Sequence, residues 1–361
     1  MTPPVTKRPS GGPLAGRRIR VLIVDDSALA RKVIAEALRE DPGIEIAGWA
    51  VDGFSASQQV SALKPDVVTL DIEMPGMDGI TFLRKLRGDA WVPAVVVSAV
   101  TGPGRLSAFE ALRAGAVEVI AKPVAAPAFA EFRSVLVAKV RAAFASRRNL
   151  APPPSNPAQG RVVKLRPPDL IAMGSSTGGT EAVERILRQM TGDCPGIVIA
   201  QHIPARFSLT FAERLKQVCR IRVKEAGDGD VVVPGLALIA PGDQHMALKK
   251  SPRGIETVVY HGPRVCFQRP SVNVLFGSVA ATVGARALGV ILTGMGNDGA
   301  EGMLEMKRSG ATNIAQDEAT CAVFGMPKEA ILAGAIDHVL PLNSIAASLS
   351  ELHAARFHMT A

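Results

Sequence analysis

From Arg20 to about Ser146, short apolar runs alternate with segments whose apolar residues recur at helical spacing. Val21–Val24, Ile44–Ala47, Val67–Leu70, Ala94–Val97 and Val117–Ile120 read as short strands, because a brief unbroken apolar run bounded by polar residues suits a strand buried on both faces. Between the first two, Ala30, Val33, Ile34, Ala37 and Leu38 share one helical face. Five strands with intervening helices predict a doubly wound parallel sheet. The pattern stops at 149–168, where Ala151-Pro152-Pro153-Pro154-Ser155-Asn156-Pro157 can neither continue a helix nor join a central strand, so this stretch reads as a linker. A second alternating region runs from Asp169 to about Leu342. Its strand candidates are Leu170–Met173, Gly196–Ala200, Val231–Val233, Leu236–Ala240, Glu256–Tyr260, Leu288–Leu292 and Ala311–Ala315. Helical patterns over Glu181–Met190, Phe207–Cys219, Ser271–Val283 and Glu301–Ser309 separate them and predict another mostly parallel α/β sheet.

Composition narrows the class. The 361 residues are 47% hydrophobic, which excludes a disordered chain, and no run of membrane-spanning length is free of charges or Gly/Pro breaks. The first residues lack an apolar segment of signal-peptide length, so a cytoplasmic protein is expected. Cys194, Cys219, Cys266 and Cys321 have neither Cys-x-x-Cys nor zinc-site spacing and are expected to be free thiols. The net charge of +8 hints at a nucleic-acid partner, but its distribution argues against one. Residues 1–20 hold five basic side chains and residues 141–168 hold six, with no acid in either stretch, leaving −3 for the rest.

In an open parallel sheet, ligands bind beyond the carboxyl ends of the strands. Asp25 and Asp26 end the first predicted strand, Asp71 the third and Ser98 the fourth, and Lys122 follows the fifth. Three carboxylates converging in one crevice repel one another unless a cation joins them, and a hard ion such as Mg²⁺ suits oxygen donors. A lysine and a hydroxyl beside them suit the oxygens of a phosphoryl group on Asp71.

With Asp71-Ile72-Glu73-Met74-Pro75-Gly76-Met77-Asp78-Gly79, these positions resemble the receiver domain of two-component response regulators over residues 19–125. The resemblance implies a flavodoxin-like fold and phosphorylation of Asp71 from a histidine kinase. It further implies Mg²⁺ bound by Asp26 and Asp71, by Asp25 through water and by the backbone carbonyl of Glu73, with Ser98 and Lys122 as switch residues. Val119 stands where receivers commonly carry an aromatic switch side chain.

Gly174-Ser175-Ser176-Thr177-Gly178 places Ser176 in a Gly-x-Ser-x-Gly frame between a predicted strand and helix. Glycines tolerate so sharp a turn, and a serine exposed there is a candidate nucleophile; a helix cap or a phosphate loop is the plainer alternative. A serine needs a base, and the base works best when a carboxylate orients it. His202 follows the strand Gly196–Ala200, and Asp298 follows Leu288–Leu292. His245 and Asp243 compete, also after a strand, as does Asp317 after Ala311–Ala315. The Gly294-Met295-Gly296 segment is either a turn or a source of a backbone N–H for an oxyanion, for which Met295 and Thr177 are the candidates.

Further blocks make the resemblance specific: Gln201-His202-Ile203-Pro204, Ala240-Pro241-Gly242-Asp243-Gln244-His245-Met246, Arg269-Pro270-Ser271-Val272-Asn273-Val274-Leu275-Phe276, Thr293–Gly299 and Val323–Pro327. Together with the serine frame, they resemble the chemotaxis protein-glutamate methylesterase (CheB) family. That likeness implies Ser176 as nucleophile, His202 as base and Asp298 as orienting carboxylate. It implies demethylation of glutamate methyl esters on chemoreceptors with release of methanol, and deamidation of receptor glutamines. No cofactor is expected for hydrolysis, no nucleic acid or membrane insertion is expected, and a monomer is expected. The corresponding division is a basic tail over 1–18, a receiver over 19–146, a linker over 147–168 and a catalytic domain over 169–355. A DNA-binding regulator and a nucleotide-binding module using Gly174–Gly179 are the alternatives of other classes.

Overall fold

A computed structural model of the chain describes residues 17–89, 92–98, 110–123, 129–147, 162–205 and 207–358. Most of the predicted basic tail and of the proline-rich linker lies outside these residues. The first unit runs β1 (Ile19–Val24), α1 (Ala28–Arg39), β2 (Ile44–Ala50), α2 (Gly53–Leu63), β3 (Val67–Leu70), α3 (Gly79–Asp89), β4 (Ala94–Ser98), β5 (Glu118–Ala121) and α4 (Phe129–Ser146). All strand pairs are parallel, in the order β2-β1-β3-β4-β5.

The period-two pleat explains why the strands read as unbroken apolar runs. Leu22 and Val24 face a layer containing Ala56, Phe82 and Leu83, whereas Val21 and Ile23 face Ile34, Leu38, Leu136 and Val140. Helix starts follow local chemistry: Ser27 caps α1 through Ala30 N, and Asp52 with Ser55 forms a capping box on α2. Two charges counted with the basic ends are tied down, since Arg17 and Arg147 both reach buried Asp66, Arg147 at 2.6 Å.

The second unit runs β6 (Leu170–Ser175), α5 (Gly179–Leu187), β7 (Gly196–Gln201), α6 (Phe207–Val218), β8 (Arg222–Glu225), β9 (Leu236–Ile239), β10 (His245–Ser251), β11 (Gly254–Tyr260), α7 (Val272–Thr282), β12 (Ala287–Ile291), α8 (Ala300–Arg308), β13 (Thr312–Gln316), α9 (Met326–Leu332), β14 (His338–Leu340) and α10 (Leu342–His358). A seven-stranded sheet has the order β14-β13-β12-β6-β7-β9-β8, and every pair in it is parallel. β10 and β11 form a separate antiparallel pair. The chain leaves β6 toward β7 on one side, and β12 later fills the other side. The carboxyl end of β6 is therefore a topological switch point, the place where open α/β sheets form crevices.

The expected strand Val231–Val233 is corrected to a single bridge between Val231 and Glu256, because Pro234 and a left-handed Gly235 at φ 70° end the run. Three strands, β8, β10 and β14, have no counterpart among the expected ones. β8 is an edge strand with one fully buried residue, Val223, amid Arg222, Lys224 and Glu225, so it lacks the apolar run of a central strand. No described helix is long and apolar enough to cross a membrane.

Candidate active site

Ser176 lies one residue beyond β6, at the switch point. Its N–H donates to Thr293 O at 3.0 Å, and its carbonyl accepts from Gly179 N at 2.8 Å and from Gln201 Nε2 at 2.9 Å. Gly178 follows at φ 76°, where a Cβ would come within 2.6 Å of the Ala322 Cβ, so a side chain there would meet both strain and a clash. Gly294 presses on the other side, since a Cβ on it would lie 2.8 Å from the Ser176 Cβ. α5 starts at this turn with no side-chain cap. The Thr177 and Met295 N–H groups find no acceptor among the described residues.

His202 follows β7 and is held by its own N–H, which donates to Ser175 O at 3.0 Å. Its Nε2 lies 2.7 Å from Asp298 Oδ2, while its Nδ1 is buried with no partner. A carboxylate acceptor at Nε2 fixes the ring proton there and leaves a basic lone pair on Nδ1. Asp298 is 2% exposed. It also accepts from Ser271 Oγ at 2.8 Å, Val272 N at 2.7 Å and Asn273 N at 3.0 Å, at the amino end of α7. Burial pushes its carboxyl up, but the His202 hydrogen bond and charge together with the backbone donors prevail and hold it below the ordinary carboxylate range.

The competing residues are committed elsewhere. His245 is buried, donating from Nε2 to Pro263 O at 2.9 Å and accepting from Ser271 N at Nδ1, so neither ring nitrogen is left for proton transfer. Asp243 pairs with Arg269 at 2.7 Å, and Asp317 caps a turn through Thr320. Gln201, Ser271 and Asn273 act in ways the sequence reading did not assign. Gln201 fastens the Ser176 and His202 carbonyls through one amide. Ser271 and Asn273 hold Asp298, and Asn273 Oδ1 also accepts from Gly299 N and Gly302 N.

The first sheet covers this site. Ser176 and His202 line a narrow space of about 30 Å³ together with Leu112, Val117, Glu118 and Val119 of the first unit, room for about one or two waters. Phe207 begins α6 of the second unit, yet its ring joins the apolar cluster of the first sheet, with Ile203 packed alongside. A charged contact adds to the seam, because Arg264 meets Glu131 of α4 and also lies 3.6 Å from Asp243.

At the carboxyl end of the first sheet, Asp25, Asp26 and Asp71 place carboxylate oxygens within 4.8 Å of one another. Asp25 and Asp71 are buried and Asp26 is exposed. Lys122 Nζ donates to Asp71 Oδ2 at 2.6 Å and makes an ionic contact with Asp25 Oδ2 at 2.8 Å. Burial holds the Asp25 carboxyl above its usual value despite the nearby lysine. For Lys122, burial works downward, and the two carboxylates outweigh it to raise its pKa. The Ser98 Oγ is buried without a partner, and Asp71 Oδ1 accepts from Ile72 N at 2.7 Å. Glu73 is exposed two residues beyond Asp71, and Val119 is buried at the domain seam.

A parallel α/β unit with a serine at its switch point beside a histidine–aspartate pair, joined to a phosphoacceptor-type sheet, defines a hydrolase carrying a response-regulator domain. Comparison with known proteins agrees. The CheB methylesterase family model matches residues 171–349, and that of the response regulator receiver domain matches residues 21–132. A protein-glutamate methylesterase/protein-glutamine glutaminase of Syntrophus aciditrophicus is 49% identical, the match covering 91% of this chain and 97% of that protein. One from Anaeromyxobacter dehalogenans is 48% identical over 95% of this chain and 99% of its own. The crystal structure of the Thermotoga maritima CheB methylesterase catalytic domain matches with 38% identity and a TM-score of 0.50, covering 52% of this chain and all of that one. The chain belongs to the CheB methylesterase family.

Proposed function

We propose that this enzyme hydrolyses glutamate methyl esters on chemoreceptors, releasing methanol, and deamidates glutamines on the same substrates, under control of phosphorylation at Asp71. One observation carries the hydrolytic reading. Nε2 of His202 is bound to Asp298 while Nδ1 is buried and unpartnered, and His202 and Ser176 line one small space. His202 Nδ1 takes the Ser176 Oγ proton as Oγ adds to the ester carbonyl. Asp298 stabilises the resulting imidazolium without taking its proton. Negative charge on the former carbonyl oxygen is met by the N–H groups of Thr177 and Met295, near the uncapped start of α5. His202 returns the proton to the departing methoxide, leaving an acyl-enzyme that water hydrolyses by the reverse exchange. An amide substrate follows the same path and releases ammonia. These steps call for no cofactor.

The regulatory reading rests on the seam. A space of about 30 Å³ does not admit a side-chain ester, so the receiver must move before the substrate reaches Ser176. Asp25, Asp26, Asp71 and the Glu73 carbonyl would hold Mg²⁺, which supplies charge neutralisation for the phosphoryl group when bound; the hard carboxylate donors fit it. Lys122 and Ser98 would donate to the phosphoryl oxygens, a reading supported by the Lys122 bond to Asp71 and by the unpartnered Ser98 hydroxyl. The phosphodonor is a histidine kinase, and the working form is a cytoplasmic monomer. Pre-steady-state methanol release tests the chemistry: a burst of about one methanol per active chain is expected if deacylation is the slower step. Modification of a residue other than Ser176 in the trapped acyl-enzyme would overturn the assignment.

A further inference from the structure

A second, larger cleft of about 620 Å³ adjoins the covered serine, and the two share Gly178 and Thr180. Its walls hold four arginines, Arg185 on α5, Arg188 at its carboxyl end, Arg214 on α6 and Arg113 from the receiver, against two glutamates, Glu181 and Glu184. This local excess of positive charge stands out in a chain whose remainder, outside its two basic stretches, carries −3. The internal pairing is loose. Arg185 lies 3.5 Å from Glu181, and Arg188 and Arg214 each lie 3.6 Å from the same Glu184 oxygen. Partly exposed pairs of that length contribute little and exchange readily. Arg113 makes no ion pair among the described residues, and Arg214 Nε is buried with no partner.

We propose that this cleft recognises carboxylates of the substrate polypeptide next to the scissile ester, so that the enzyme selects glutamate esters in acidic segments. The proposal rests on the hydrolase reading above. Guanidinium forks donate paired N–H bonds to carboxylates, and an incoming carboxylate supplies the acceptor that Arg214 Nε lacks. The position fits, because Thr180 lies four residues beyond Ser176 and lines both spaces. An acidic segment docks along α5 while its ester enters beside Ser176. The receiver's Arg113 forms the opposite wall, so the anion site is reshaped when that domain moves.

The test uses the full chain with Mg²⁺ and a small-molecule phosphodonor. Two synthetic helical peptides each carry one glutamate methyl ester, flanked in one by glutamates and in the other by alanines. Wild-type kcat/KM should favour the acidic peptide by about tenfold at low salt, mainly through KM, and added salt should erode the preference. Arg185→Glu with Arg188→Glu should abolish it, and Arg214→Gln should weaken it. Equal wild-type kcat/KM for the two peptides, or a preference that survives the charge reversals, overturns the proposal. Methanol from the alanine peptide alone leaves the hydrolase reading standing while removing this one. No methanol from either peptide overturns both.

Discussion

Replacing Phe207 with alanine isolates the contribution of the domain seam. The ring is 6% exposed and lies in the same apolar cluster as Leu22, Leu70 and Val119 of the receiver, although Phe207 itself begins α6 of the catalytic domain. Full burial of such a side chain is worth about 1.5–3 kcal/mol. To the extent that the receiver provides that burial, its loss shifts the equilibrium between covered and uncovered forms by about 10- to 100-fold. Methanol release without phosphodonor should rise by up to that factor, and stimulation by phosphodonor should shrink in proportion, because the uncovered population cannot exceed unity. Leu112→Glu makes the same test from the other side, placing a charge where Leu112 closes the space over Ser176. It leaves α6 untouched, so local damage beside His202 is not a rival explanation for agreement between the two variants. Unchanged basal rates in both, with thermal stability preserved, would refute steric covering as the basis of inhibition.

Other perturbations address separate parts of the account. Asp71→Ala should retain the basal rate and lose stimulation by phosphodonor, read as methanol release with and without it. Glu131→Arg should break its contact with Arg264 and raise basal activity modestly, by a few-fold, and the added Arg264→Glu should restore the covered form; failure of the second change to restore it removes the pair from the seam. Asp298 gives a pH signature. Its folded-state carboxyl sits below the unfolded value of about 3.9, so its stabilisation is fully present above that pH and is lost as pH falls through the lower, folded value. In urea unfolding, the stability difference between wild type and Asp298→Asn should stay level from neutrality to about pH 4 and then shrink. A difference that widened on acidification would reverse the sign of the argument.

The parallel sheets were legible because strands buried on both faces leave unbroken apolar runs, as in Val67–Leu70 and Leu170–Met173. Their carboxyl ends then located the acidic cluster and the serine, since topology alone sends strand-end residues to one rim. What escaped was whatever depends on distant partners. β8 lies at an edge and buries only Val223 fully, which gives no run to detect. Spacing left His202 and His245 as rivals, and only the hydrogen bonds on each ring nitrogen separate them. Ser271 was visible as the start of a helix, but its hydroxyl's reach to Asp298, 27 residues away, was not. Phe207 reads as an ordinary apolar position on a helix, and nothing local to it reveals that it packs into the other domain.

The most direct test of the central claim compares methanol release from a methylated chemoreceptor signalling domain by the wild-type chain and by Ser176→Ala, with Mg²⁺ and phosphodonor present. The account predicts robust release by the wild type and a fall of about 10⁴ in the variant, with folding and phosphorylation of Asp71 unaffected. Equal release by the two proteins would contradict it.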